Sequence, residues 1–157
     1  MQSITKTVQY SLDQIDTLAD ILYDMKPSCC VYTFKGEMGS GKTTLIGTLL
    51  EKCGITDFSG SPTYTYLYTY KNNIGETFYH FDLYRMSSQA DAFTFLDREE
   101  YIQTACCQAE PPSWIFIEWP EKITSLLPAN TVQIALAQSP ESPSTKRSAT
   151  ITYSENL

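Results

Sequence analysis

The chain has 157 residues and a formal net charge of −7, from 18 acidic and 11 basic side chains. This length suits a single domain with a modest core. No apolar run reaches the roughly 20 residues that cross a bilayer. The first residues are polar and do not contain the apolar region of a signal peptide. Proteins that grip RNA or DNA carry a basic face, which a chain with three arginines does not offer. The composition therefore predicts one cytoplasmic domain, residues 1–157, without direct membrane or nucleic-acid binding.

Thiol and metal chemistry is limited by the same composition. His80 is the only histidine, which leaves little room for a zinc site or a Ser-His-Asp triad. The cysteines form no C-x-x-C pair, so buried free thiols are expected rather than a zinc ribbon or a redox motif. They are Cys29, Cys30, Cys53, Cys106 and Cys107.

The first half of the chain alternates between strand and helix patterns. "SITKTVQYS" predicts a strand, and apolar residues at helical spacing predict a helix after it, with Ser11 and Gln14 as a capping box. "CCVYTFKG" (Cys29–Gly36) is typical of a buried strand. After a glycine-rich turn, "TTLIGTLLEKC" predicts a second helix that Gly54 would close.

The second half adds a hairpin, a helix and three strands. Strict alternation in "PTYTYLYTY" predicts a strand whose tyrosines pack on a sheet face, in preference to a platform for stacking bases, and "TFYHFDLYR" returns antiparallel to it. A helix is predicted from Ser88 to about Ala105, with Ser88 and Asp91 at its start. "WIFIEWPE" is a buried strand, and "TVQIALAQ" and "SATITYS" are a final antiparallel pair. This order of elements predicts an α/β fold.

A glycine-rich stretch, "FKGEMGSGKTTL" (Phe34–Leu45), has the form G-x-x-x-x-G-K-T. In such a loop consecutive main-chain N–H groups point at a polyphosphate, and the following helix adds its unpaired first N–H groups. Lys42 supplies a cation for the β and γ phosphates, and the Thr43 hydroxyl supplies a ligand for Mg²⁺. Because the motif follows a predicted strand and opens a predicted helix, we expect phosphate binding rather than a structural turn.

Two carboxylates complete the expected site. Glu118 ends the apolar run "WIFIE", where a P-loop enzyme places the carboxylate that lies beyond its metal. Asp82 stands near a strand end in "HFDLYR" and either holds the metal through water, orients the attacking water, or bonds the backbone as a structural residue.

A P-loop in a chain of this kind can serve four functions. A small-molecule kinase uses several arginines around its phosphoryl acceptor, and the chain has few. A GTPase commonly carries Asn-Lys-x-Asp, which is absent. An ATPase that drives a partner remains, together with a nucleotide-gated binding module that does not need hydrolysis.

The segments "GEMGSGKTTL", "SPTYTY", "YHFDLYRM" and "IEWPEKI…LP", in this order and spacing, resemble the TsaE (YjeE) family. Its members are bacterial P-loop ATPases needed to make N6-threonylcarbamoyladenosine (t6A) in tRNA. The P-loop alone is generic, but the other three segments together are specific, and the resemblance runs from the first helix to about Arg147. The chain departs from the family at Leu96-Asp97, where Leu-Gly is expected.

The resemblance implies a three-layer α/β/α P-loop NTPase with a mixed, mainly parallel sheet and antiparallel strands at its edge. It implies ATP and Mg²⁺, with Thr43 and Glu118 as metal ligands, Asp82 and Lys42 in hydrolysis, Ser61–Tyr64 as a switch-type loop and Trp119 beside the metal ligand. The nucleotide contacts expected on this basis are Gln14, Met38, Gly39, Ser40, Gly41, Lys42, Thr43, Thr44, Glu121 and Arg147.

By the same resemblance, the partners are the TsaD and TsaB proteins of the tRNA-modifying complex, which would hold the tRNA themselves. Hydrolysis would reset that complex for another turnover. No arginine except Arg147 stands out as one that would stabilise the transferred phosphoryl group, so ATPase activity is expected to be weak alone and higher in the assembly.

Overall fold

The computed structural model describes residues 2–25, 31–99 and 112–154. Within these ranges the chain forms seven strands and three α-helices. In chain order they are β1 (Ser3–Ser11), α1 (Ile15–Asp24), β2 (Val31–Lys35), α2 (Lys42–Lys52), β3 (Leu67–Lys71), β4 (Thr77–Asp82), α3 (Gln89–Glu99), β5 (Ser113–Glu118), β6 (Val132–Gln138) and β7 (Lys146–Ser154). Short 3₁₀ turns lie at Leu12–Gln14, Pro120–Lys122 and Thr124–Leu126.

The strands form one mixed sheet in the order β1-β7-β6-β2-β5-β4-β3. The central strands β6, β2, β5 and β4 pair in parallel. At one edge β7 and β1, and at the other β3, pair antiparallel with their neighbours. Parallel neighbours need a crossover connection, which α3 provides between β4 and β5. The predicted mixed sheet with antiparallel edge strands is confirmed.

Apolar cores lie on both faces of this sheet. On one face Leu22 of α1 and Leu49 of α2 share a core with Phe116 of β5. On the other face Leu96 of α3 shares a core with Ile115 of β5. Successive side chains of a strand point to opposite faces, so β5, which is buried throughout, contributes to both cores. This is the predicted three-layer α/β/α arrangement.

The carboxyl ends of three parallel strands meet at one edge of the sheet. Glu118, the last residue of β5, is in register with Phe34 of β2 on one side and with Asp82 of β4 on the other. The glycine-rich loop follows β2 directly. In open α/β sheets ligands bind at this edge, so the topology brings the loop and both predicted carboxylates to one place.

The predicted helix caps are formed. The main-chain N–H of Ser11 donates to Gln14 Oε1 at 3.1 Å, although the first turn after it is 3₁₀ and the α-helix begins one turn later. The N–H of Asp91 donates to Ser88 Oγ at 3.1 Å. Gly54 follows α2 with φ of +87°, the left-handed conformation that commonly ends a helix.

The strand predicted from the tyrosine alternation is shorter than its pattern, and the prediction is wrong before Leu67, where β3 begins. The preceding residues form a turn in which the Tyr66 N–H donates to the Pro62 carbonyl at 2.6 Å, and Tyr66 has φ of +65°. Alternation could not reveal this turn, because the hydroxyls of Ser61 and Thr63 are held by a side chain of β4.

Some predictions concern residues outside those described. They are residues 100–105 of the third predicted helix and the cysteines Cys29, Cys30, Cys106 and Cys107. Among the described residues, Cys53 is buried and forms no disulfide, as expected. Across residues 2–25, 31–99 and 112–154, no helix is both long enough and apolar enough to span a membrane.

Candidate nucleotide site

A cavity of about 420 Å³ lies where the glycine-rich loop meets the ends of β4 and β5. One group of lining residues comes from the loop and the start of α2: Met38, Gly39, Gly41, Lys42, Thr43 and Thr44. The other group comes from the segment after α2 and from the ends of β4 and β5 with the residues that follow them: Ser61, Thr63, Asp82, Tyr84, Arg85, Glu118 and Trp119. Most of the predicted site residues therefore line one cavity.

The loop before α2 has a backbone that excludes larger residues. A Cβ atom on Gly36 would lie 2.6 Å from both the Leu136 carbonyl oxygen and Ser40 Oγ. Gly41, which precedes α2, has φ of +100°, a conformation that strains any residue with a side chain. Ser40 is 1% exposed, and its hydroxyl has no hydrogen-bond partner among the described residues. The first N–H groups of α2 lack partners within the helix, as at any helix start, and the residues that carry them, 42–44, line the cavity.

Lys42 is buried within this loop. Its Nζ donates to the carbonyl oxygens of Gly36 at 2.7 Å and Glu37 at 3.0 Å, and it lies 4.1 Å from the ring centroid of Trp119. Burial lowers the pKa of the Lys42 ammonium, and nearby carboxylates, Glu118 first among them, act against that shift. The cation is thus held by neutral acceptors that a phosphate oxygen could replace.

The two predicted metal ligands touch each other. Thr43 Oγ1 donates to Glu118 Oε1 at 3.0 Å and to Oε2 at 3.1 Å. Glu118 is 2% exposed, and the fully buried His80 places Nε2 at 2.8 Å from Glu118 Oε1. Because a carboxylate only accepts, Nε2 carries the proton of this hydrogen bond. The ring of Phe58 stacks on the imidazole of His80 with centroids 6.1 Å apart.

Asp82 holds the loop before β3. Its Oδ2 accepts hydrogen bonds from the hydroxyls of Ser61 and of Thr63, the latter at 2.9 Å. Its Oδ1 accepts the main-chain N–H of Tyr84 at 3.0 Å. Both carboxylate oxygens are therefore engaged, and Asp82 ties the loop that contains Ser61 and Thr63 to the strand end beside Glu118.

Trp119 takes a backbone conformation that is rare for a bulky residue, with φ of +58° and ψ of +57°. Its N–H donates to the Phe34 carbonyl at 3.2 Å, and its ring lies 4.9 Å from that of Tyr84 and covers Lys42. Such outliers cost on the order of 1–3 kcal/mol and cluster at functional sites, which is a reason to include Trp119 in the site.

The remaining predicted contacts lie outside this cavity. Gln14 is engaged in the cap of the first helix. Glu121 lines a neighbouring hollow together with Gly36 and Trp119. Arg147 lies on β7, is 8% exposed and donates to the Pro143 carbonyl. Ser40 is within the loop but does not line the cavity. The nucleotide contacts expected of these residues stay predictions.

Three residues of the site were not predicted: Tyr84 and Arg85, which line the cavity, and His80, which supports Glu118. A signal for His80 was present, because it stands two residues before Asp82 on the same strand, and strand periodicity places both side chains on one face. Arg85 lies in the turn after β4, where no periodicity indicates the direction of a side chain.

The donor set fits magnesium rather than a softer metal. Among the described residues no three His, Cys, Asp or Glu side chains come together as a metal cluster. Mg²⁺ is usually bound by one or two carboxylates together with phosphate oxygens and waters, not by an all-protein cage. One hydroxyl, from Thr43, and one carboxylate, from Glu118, beside a loop suited to phosphates match that requirement.

A glycine-rich loop between a buried parallel strand and a helix, with a strand-end carboxylate against the first helical hydroxyl, defines the P-loop NTPase class of folds. Comparison with known proteins narrows the class. The chain belongs to the TsaE family, because the family model for "Threonylcarbamoyl adenosine biosynthesis protein TsaE" matches residues 9–149.

Individual relatives agree with this assignment. The chain is 33% identical over 135 residues to the "tRNA threonylcarbamoyladenosine biosynthesis protein TsaE" of Haemophilus influenzae, covering 82% of this chain and 78% of that protein. It is 35% identical over 106 residues to the protein of the same name from Treponema pallidum, covering 68% and 71%. The crystal structure of YdiB from Bacillus subtilis superposes with a TM-score of 0.63 at 24% identity, over 96% of this chain and 87% of that one, and supports the fold.

Proposed function

We propose that this chain binds ATP with Mg²⁺ and hydrolyses it to drive the formation of t6A in tRNA in the cytoplasm. The observation that carries the proposal is the contact between Thr43 and Glu118 at the mouth of the phosphate loop, at 3.0 and 3.1 Å. Membership in the TsaE family, whose named relatives are tRNA threonylcarbamoyladenosine biosynthesis proteins, supports the pathway.

Phosphate binding would use the loop and Lys42. The Lys42 ammonium would exchange the carbonyls of Gly36 and Glu37 for phosphate oxygens, which are stronger acceptors because they are charged. The first N–H groups of α2 would donate to the same phosphates, and the positive end of the helix dipole would add to their attraction.

Metal binding would use Thr43 and Glu118. When bound there, Mg²⁺ neutralises charge on the terminal phosphates and orients them for transfer. Thr43 would turn its hydroxyl proton away from Glu118 and offer a lone pair to the ion. His80 would keep Oε1 of Glu118 in place through its 2.8 Å hydrogen bond, so that the carboxylate does not have to be reoriented.

Asp82 would act through the loop that it holds. Ser61 and Thr63 line the cavity and are tied to Asp82 Oδ2, so a phosphate that competes for either hydroxyl would loosen the loop. Segments of this kind are ordered by γ-phosphate contacts and released on hydrolysis in other P-loop proteins. The loop would thereby report the state of the nucleotide to a partner.

The partners that we propose are TsaD and TsaB, which would hold the tRNA. The net charge of −7 disfavours direct binding of a polyanion and suits contact with a basic protein surface. Both oxygens of Asp82 already accept hydrogen bonds within this chain, so the carboxylate has little contact with water. This agrees with a low rate of hydrolysis before the chain assembles with its partners.

The test is ATP turnover of the chain alone and with the TsaD–TsaB pair, with Mg²⁺ and with EDTA. We expect slow turnover alone, an increase with the pair, and none in EDTA. Equal rates with and without the pair would contradict the proposed coupling of ATP hydrolysis to the pair. A phosphorylated small-molecule acceptor would identify a kinase instead. If the pair forms t6A over many turnovers with a hydrolysis-dead variant, nucleotide binding alone is the function.

A further inference from the structure

Arg85 occupies a place in the cavity that no predicted role accounts for. It lines the same cavity as Lys42, Thr43 and Glu118, and it stands in the short turn that follows β4. Its guanidinium carbon lies 4.2 Å from the ring centroid of Tyr64. No carboxylate of the described residues forms a salt bridge with it, so its charge is not neutralised by an ion pair.

The turn that carries Arg85 is held firmly. Leu83 and Met86 on either side of Tyr84 and Arg85 are buried, and the Met86 N–H donates to the Leu83 carbonyl at 3.1 Å. Lys122 Nζ donates to the carbonyl oxygens of the same two residues, Leu83 and Met86. The backbone is thus clamped from two sides, and motion is left to the exposed side chains.

The turn lies at the metal end of the cavity. Asp82, three residues before Arg85, is in register with Glu118, and the ring of Tyr84 contacts Trp119, whose ring in turn lies over the Lys42 ammonium. Lys42 and the metal ligands of a P-loop meet the β and γ phosphates. A cation on this wall therefore faces the terminal phosphate rather than the nucleoside.

We infer that Arg85 binds the third phosphate of the nucleotide, and that Tyr64 holds the Arg85 side chain while no triphosphate is bound. The inference rests on the proposed function and assigns this site a group that distinguishes ATP from ADP. A guanidinium binds phosphate through two parallel hydrogen bonds, which are stronger than its attraction to an exposed aromatic ring. ATP thus draws Arg85 away from Tyr64.

When Arg85 leaves Tyr64, binding of the nucleotide changes the exposed loop that carries Tyr64. Tyr64 is 78% exposed and belongs to the loop whose Ser61 and Thr63 hydroxyls are bound to Asp82. When Arg85 moves to the phosphate, the Tyr64 ring loses its contact with the guanidinium, while the hydroxyls of Ser61 and Thr63 stay bound to Asp82. A surface that changes between the ATP and ADP states is what a partner needs in order to respond to hydrolysis.

The experiment measures the affinities for ATP and ADP, both with Mg²⁺, by titration calorimetry of the intact chain. Arg85→Gln is expected to weaken ATP binding about tenfold, the effect of losing a charge-assisted pair, and to change ADP binding by less than about twofold. Arg85→Lys keeps a charge but not the two-pronged geometry and should recover part of the ATP affinity. Lys71→Gln, which removes an exposed positive charge on β3, is the matched control and should change neither.

A double-mutant cycle tests the role of Tyr64. Tyr64→Leu should tighten ATP binding about two- to fivefold, because the ring no longer competes for Arg85, and should have no effect in the Arg85→Gln background. If Tyr64→Leu changes ATP affinity equally in the unmodified chain and in Arg85→Gln, Tyr64 does not hold Arg85.

Failures of the two proposals are distinguishable. If the unmodified chain binds ATP and Arg85→Gln, folded by circular dichroism, keeps the ratio of ATP to ADP affinity, this inference is wrong while the proposed function stands. If the unmodified chain binds neither nucleotide, the proposed function fails and the inference fails with it.

Discussion

The hydroxyl of Thr43 donates to both carboxylate oxygens of Glu118, although the two residues are 75 positions apart in the chain. Parallel pairing of β2 and β5 produces this contact, because it ends both strands at the edge where α2 begins. The pair joins the helix start after the phosphate loop to the end of β5, and both residues line the cavity.

Replacing Glu118 should separate metal binding from nucleotide binding. Glu118→Gln keeps the size of the side chain and its place beside His80 but removes the negative charge that attracts Mg²⁺. Because a bound metal stabilises the transition state by several kcal/mol, we expect turnover to fall at least about a hundredfold. Nucleotide affinity measured in EDTA should stay within about twofold.

Thr43 provides the matched comparison for that prediction. Thr43→Ser keeps the hydroxyl and should retain Mg²⁺-dependent turnover, whereas Thr43→Val should lose it. If Glu118→Gln hydrolyses ATP with the Mg²⁺ dependence of the unmodified chain, Glu118 is not the metal ligand.

Lys42 should decide whether nucleotide binds at all. Lys42→Ala deletes a buried cation that faces the loop, and we expect tight binding of both ATP and ADP to be abolished. Trp119 provides the signal, since its ring lies 4.1 Å from Lys42 Nζ, and the background substitution Trp114→Phe leaves it as the only tryptophan. Lys71→Ala, on the exposed end of β3, is the control; an unchanged titration of Lys42→Ala would contradict phosphate binding by the loop.

Much of this arrangement could be predicted from the sequence, because it is encoded locally. The glycine-rich loop is a continuous motif between a strand and a helix, so its position and its residues follow from a short window. Glu118 could be found because a wholly apolar run ends there, and the length of that run indicates a buried strand. The helix caps at Ser11 and Ser88 were predicted for the same reason, since each depends on residues three positions apart.

What could not be predicted depends on contacts between distant segments. The turn before β3 exists because Ser61 and Thr63 bond to Asp82 on another strand, and a strand pattern covers the same letters. Arg85 and His80 are members of the site through the tertiary positions of a turn and a strand. Strand periodicity could have placed His80 on the same face as Asp82, but no spacing rule within one segment indicates its contact with Glu118 or the direction of the Arg85 side chain.

Two variants distinguish whether Asp82 acts directly on the attacking water or indirectly through the loop that contains Ser61 and Thr63. Asp82→Ala removes the acceptor of the loop hydroxyls, and we expect hydrolysis in the assembly to fall more than nucleotide binding does. If Asp82 acts through the loop, the double variant Ser61→Ala/Thr63→Val should reproduce most of that loss. If it instead acts on the attacking water, the double variant should keep the rate, and an unchanged rate in Asp82→Ala would make the residue purely structural.

Gly47 tests the packing behind the site. It lies inside α2, where Ala is favoured over Gly by about 1 kcal/mol, so helix propensity alone predicts that Gly47→Ala is stabilising. A Cβ there would lie 2.5 Å from Cε1 and 2.8 Å from Cδ1 of Phe58, and this ring stacks on His80. Overpacking costs about 1–3 kcal/mol, so we expect a net loss of about 1 kcal/mol and a Tm lower by about 2–4 °C.

The cause of that loss can be isolated with Phe58. In the Phe58→Leu background the smaller side chain leaves space for the new methyl group, so Gly47→Ala should there be neutral or stabilising. The two substitutions should therefore be non-additive by at least about 0.5 kcal/mol in the free energy of unfolding, measured by urea denaturation. A higher Tm for Gly47→Ala alone would mean that Phe58 moves aside without cost and that its stacking on His80 does not constrain the imidazole beside Glu118.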